Sequence, residues 1–206
     1  MEDRLVQMRE AAGFVLSFAP WIIFTVVTQS QSTWEWGALA ALVAALILAI
    51  PWRGGRSIKV IDAAAVVFFG VLAVLGLFVD ASQLDGLERN SQVLSSFALA
   101  AIAFGSLLVM PFTEQYAREQ VEREYWDSPV FKRTNRVLTA VWGAAFTVAG
   151  VCGIVQQYVS GSAVDLFNWI IPVAVIVGAM KFTGYYAAAA AGRAEARAAG
   201  EPELET

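Results

Sequence analysis

Charged residues in this chain are confined to short blocks, and the stretches between them are long, apolar and almost free of charge. A charge near the centre of a bilayer costs about 2.5–3.5 kcal/mol on insertion scales, so this sorting is what a lipid solvent demands of a sequence. Charged residues make up 16% of the chain and hydrophobic residues 58%. The charged share lies well below the roughly 25% of ordinary soluble domains. The chain reads as an all-α, polytopic integral membrane protein.

Six apolar segments follow one another: 11–28, 34–50, 58–79, 93–112, 137–158 and 166–187. At 1.5 Å per residue each approaches or exceeds the length needed to cross a hydrocarbon core about 30 Å thick. The expected fold is therefore a six-transmembrane-helix bundle occupying residues 1–190. Five spans with one re-entrant segment is the alternative. The first segment is read as a retained helix rather than a cleaved signal peptide, since no small-residue cleavage pattern follows it. Pro20 should bend it, because proline removes one helical hydrogen bond. The tail 191–206 ends in EPELET and is expected to be disordered beyond an Ala-rich helical extension.

Basic residues set the orientation. Arg4 and Arg9 precede the first segment, and Arg53, Arg56 and Lys59 fill the second connection. Arg118, Arg123, Lys132 and Arg133 lie in the fourth, and Arg193 and Arg197 follow the last segment. The first and fifth connections, QSQSTWE and YVSGSAVD, hold no basic residue, and DASQLDGLERN holds only Arg89. By the positive-inside rule, both termini face the cytoplasm. The expected location is a membrane crossed several times.

The longest charged interruption is the connection 113–131, within MPFTEQYAREQVEREYWDSPVFKRTNR. Glu114–Arg118 and Glu119–Arg123 stand four residues apart in the favourable order, which predicts a surface helix over Thr113–Tyr125. Tyr116, Arg118, Arg123 and Trp126 are the candidate contacts to a partner or to the lipid surface. Asp127-Ser128-Pro129 reads as a turn that starts the fifth membrane helix. Small residues repeat at four-residue spacing in Gly37, Ala41 and Ala45 and again in Ala145, Ala149 and Gly153. Such rows permit close backbone approach, either within the chain or across a homo-oligomer face.

Three charged residues lie at or inside segment ends: Asp62, Arg136 and Lys181. On the expected topology they share one layer on the cytoplasmic side, where Asp62 could pair with Lys181 or Arg136 and lower the cost of each charge. The alternative is that Lys181 snorkels to the headgroups while Asp62 meets water. No histidine is present, which removes haem ligation by His, His-type zinc sites and the commonest general base. Cys152 is the only cysteine, so no intramolecular disulfide can form. Nucleotide-loop, zinc-protease and serine-hydrolase motifs are missing from the sequence. No catalytic residue, metal ligand or cofactor is assigned, and nucleic acid is not an expected partner.

The opening LSFAPWIIFTVV, the Trp36-Gly37-Ala38-Leu39 start of the second segment, VVFFGVLAVLGLFVD and VFKRTNRVLTAVWGAAF together resemble the bacterial intracellular septation protein A family of inner-membrane proteins. PFTEQYARE, WDSPVF and KFTGYY also look like a group of uncharacterised bacterial membrane proteins. The first resemblance implies a non-enzymatic role in organising the cell envelope, through contacts with division or wall-synthesis proteins. A small-solute or ion transporter with a polar path near Asp62 and Lys181 is the competing expectation.

Overall fold

The computed structural model describes residues 13–28, 34–50, 58–78 and 81–198. Among these residues the chain is helical and contains no strand. Among the described residues, three helical stretches are long and apolar enough to cross a membrane: Val60–Phe78, Pro129–Tyr158 and Ser162–Ala194. The basic connection with Trp52, Arg53 and Arg56, the N-terminal Arg4 and Arg9, and the EPELET tail lie outside the described residues. The chain forms two compact units, residues 1–102 and 103–206.

In the first unit, residues 13–17 are helical and the helix breaks at Phe18 before α1 (Ala19–Val27) begins. The expected proline bend takes this form because Pro20 sits in the first turn of α1, where a missing N–H costs nothing. Next comes α2 (Trp34–Ala49), apolar but shorter than a full crossing, then α3 (Val60–Phe78). On α3, Ile61, Ala65, Phe69, Leu72 and Ala73 are buried, while Val67, Val71, Val74 and Phe78 are exposed. A helix apolar on its outer side as well suits a lipid surround.

Small residues bring α2 close to α1. A Cβ placed on Gly37 would come within 2.6 Å of Thr28 Cγ2, and Ala38, Ala41 and Ala45 are fully buried. Thr28 cannot readily turn away, because its hydroxyl donates to the Phe24 carbonyl at 2.7 Å. Aromatic rings fill the space between α1 and α3. Trp21 stacks on Phe68 at 5.1 Å and lies 4.9 Å from Phe69, and Phe24 lies 5.2 Å from Phe69.

The helix α4 (Ala81–Ser106) starts twelve residues before the predicted 93 and stops six residues before 112. Polar residues at its start obscure the helix in an apolar reading, while Ser106 and Pro111 set its end. The Ser106 hydroxyl donates to Ala103 O at 2.7 Å and accepts from Phe112 N at 3.0 Å. Leu107, Leu108 and Val109 then make tight bonds three residues back before Pro111 ends the run.

Within the second unit, α5 (Phe112–Ala117) leads through a 3-10 turn at Arg123–Tyr125 to α6 (Pro129–Val155). The Ser128 hydroxyl caps α6 by accepting from Phe131 N at 3.2 Å, with Pro129 in its first turn, as the turn reading expects. This cap starts the helix eight residues before the predicted 137. After Gly161, at φ 64°, come α7 (Ser162–Asp165), a π-helical turn at Leu166–Ile170 and α8 (Ile171–Ala198). Helix α8 returns along α6, and the Trp142 indole donates to the Thr183 hydroxyl at 3.0 Å between them.

Candidate functional site

The segment 112–136 is a built structure rather than a slack connection. Its continuous helix ends at Ala117, so the predicted Thr113–Tyr125 helix is corrected to one short helix and a folded return. The reason is a tie between the segment and α6. The Thr113 hydroxyl donates to the Asn135 carbonyl at 2.9 Å and shares a 2.8 Å hydrogen bond with the Thr139 hydroxyl. The Asn135 amide donates in turn to Phe131 O at 3.0 Å. All three side chains are buried, where each satisfied polar group avoids a desolvation penalty of about 1–3 kcal/mol.

Glu114 is buried one position further on, and Arg118 holds its carboxylate with bonds of 2.6 and 3.1 Å. This is the pairing that the four-residue spacing predicts. The Arg118 guanidinium also lies 4.9 Å from the centre of the Trp126 ring, with Arg123 5.9 Å from it. The Trp126 indole donates to Val121 O at 2.9 Å, which folds the chain back on itself. Arg118, Arg123 and Trp126 are thus brought together into one cation–aromatic group.

Tyr116 stands differently from its expected surface role. It is 5% exposed and belongs to the packed interior of the segment. Tyr125 is the tyrosine on the outside, at 53% exposure, and hydrogen bonding to Glu124 raises its hydroxyl pKa. The hydrogen bond from Lys132 at 2.7 Å, followed by that lysine's charge, holds Asp127 below the usual carboxylate range.

Asp62 lies in the first unit, two residues inside the start of α3. It is 3% exposed, and among the described residues its Oδ1 has no hydrogen-bond partner. Arg136 and Lys181 lie in the second unit, both exposed. The Trp142–Thr183 bond corrects their expected common layer. Arg136 precedes Trp142 by six residues and Lys181 precedes Thr183 by two, on helices running in opposite directions. Those eight residues separate the two along the axis by about 12 Å at 1.5 Å each.

Sequence reasoning paired Glu114 with Arg118 but passed over Thr113, Asn135 and Thr139. The Asn135 and Thr139 pair, one turn apart at the start of a membrane helix, is the signal that could have found them. Among the described residues, no group of three or more Cys, Asp or Glu side chains is gathered as a metal site would need. No family model, curated protein or solved structure matches the chain.

Proposed function

We propose that this is a non-enzymatic protein of the bacterial inner membrane, with six spans and both termini cytoplasmic. It organises the cell envelope or the division and wall-synthesis machinery through the segment 113–131. The observation that carries this reading is the anchored Arg118–Trp126–Arg123 group: a connecting loop needs no buried ties to α6, whereas a docking surface needs a fixed shape. The alternation of basic and non-basic connections supports the topology. The resemblance to the septation protein A family supports the biological setting.

The test is site-specific photocrosslinking from position 125 in cells. A defined envelope or division protein should be captured, and Trp126→Ala together with Arg123→Glu should abolish the adduct at unchanged expression. Adducts to lipid alone, or adducts indifferent to those changes, would remove this function.

A second reading, transport of a small solute or ion, is favoured by the buried Asp62 Oδ1 without a partner among the described residues. It predicts solute-dependent flux in liposomes that Asp62→Asn abolishes.

A further inference from the structure

Lys181 is the sole charged residue between Asp165 and Arg193. At 1.5 Å per residue it lies about 22 Å from Leu166 and about 17 Å from Gly192. It also lies about 12 Å deeper than Arg136, which marks the start of the charge-free part of α6. A lysine stem extends little more than one helical turn, so snorkelling leaves the ammonium within the hydrocarbon layer.

Thr183 faces α6 through its bond to Trp142. Lys181, two positions away and therefore about 200° round the helix, faces away from α6. Among the described residues its ammonium has neither a hydrogen bond nor an ion pair. Gly178 and Gly184 flank it at three residues on either side, and a Cβ on either would meet nothing within 4 Å. Tyr185, one turn on, is 75% exposed. The helix surface is therefore stripped back around one intramembrane cation, with a hydroxyl beside it.

We propose that this face of α8 docks a transmembrane helix of a different protein, one that carries a carboxylate at mid-membrane. Charge complementarity selects the occupant. A second copy meeting the same face symmetrically would oppose two lysines. Lipid phosphates sit at the surface, too far out to meet the ammonium. A helix can approach closely over the two glycines and bring a carboxylate to Lys181, removing the cost of both charges together. The proposal rests on the membrane-spanning character of α8 and is independent of the segment 113–131.

The test uses the full chain in phosphatidylcholine vesicles at neutral pH. Energy transfer to labelled polyleucine transmembrane peptides, with or without one central aspartate, is the readout. The aspartate peptide should associate about tenfold more tightly than the plain one. Lys181→Met, which suits a lipid surround, should erase the difference, and Lys181→Arg should keep it. Trp126→Ala should leave it unchanged, which separates this proposal from the docking segment. Equal binding of the two peptides, or a preference that survives in Lys181→Met, would overturn it. So would Lys181-dependent retention of a fluorescent fatty acid without peptide discrimination, since the occupant would then be a lipophilic anion.

Discussion

The two units hold their helices together by different means. In the first, α1 and α2 meet over Gly37 and a row of buried alanines, and Trp21, Phe24, Phe68 and Phe69 fill the remaining space. In the second, polar side chains make the ties: Thr113 to Thr139 and Asn135, and Trp142 to Thr183. Lipid tails are as apolar as leucine, so helices in a membrane gain little from hiding hydrocarbon and must rely on close packing or on hydrogen bonds. One unit uses chiefly the first resource and the other the second. The polar route suits the unit that must hold a charged surface segment in a fixed shape.

The sharpest way to break this contrast is steric. Gly37→Ala puts a methyl group 2.6 Å from Thr28 Cγ2, and overpacking of this kind costs about 1–3 kcal/mol. Reversible unfolding in mixed micelles should register that loss. Thr28→Ser, which keeps the hydroxyl and removes the offending methyl, should restore most of it. Failure of the rescue would mean that the first unit does not depend on this approach.

A smaller effect is expected from Thr113→Val. It removes the donor to Asn135 and the partner of Thr139 with little change of shape, at about 1 kcal/mol. Limited proteolysis should then cut faster between Arg118 and Asp127, while the first unit stays as resistant as before. Equal loosening of both units would erase the distinction between them.

The mildest effect concerns the exposed Asp127–Lys132 pair. Its carboxylate titrates below the usual range in the folded state, so any contribution is present above the unfolded pKa and fades as pH falls through the folded one. At 93% side-chain exposure for Asp127, stability should hardly change in Lys132→Gln. Carboxyl titration by NMR should nevertheless show Asp127 moving upward in that variant.

Much of this architecture can be read from residue order. Apolar runs mark the long helices, Ser128-Pro129 marks the start of α6, Pro20 marks the break in the first segment, and Gly37 marks the close approach of α1 and α2. These features are local, so a window of a few residues contains their cause. The early start of α4 is hidden because its first turns are polar. The burial of Tyr116 and the tie between Thr113 and Thr139 depend on chain segments 26 residues apart being folded together. The depth of Lys181 likewise follows from the register of α8 against α6, which one bond between Trp142 and Thr183 reports and no spacing within α8 contains.

The π-helical turn at Leu166–Ile170 has a consequence for that register. Ile171 N donates to Leu166 O, five residues back, so the turn holds one residue more than an α-helix would at that point. Each residue advances the helix by about 100°. The extra residue therefore acts as a phase setting for everything downstream. Deleting it would swing Lys181, together with the two glycines that flank it, a quarter turn or more round the axis relative to α6, and would carry the Thr183 hydroxyl away from the Trp142 indole, while leaving every other side chain in the chain chemically unaltered.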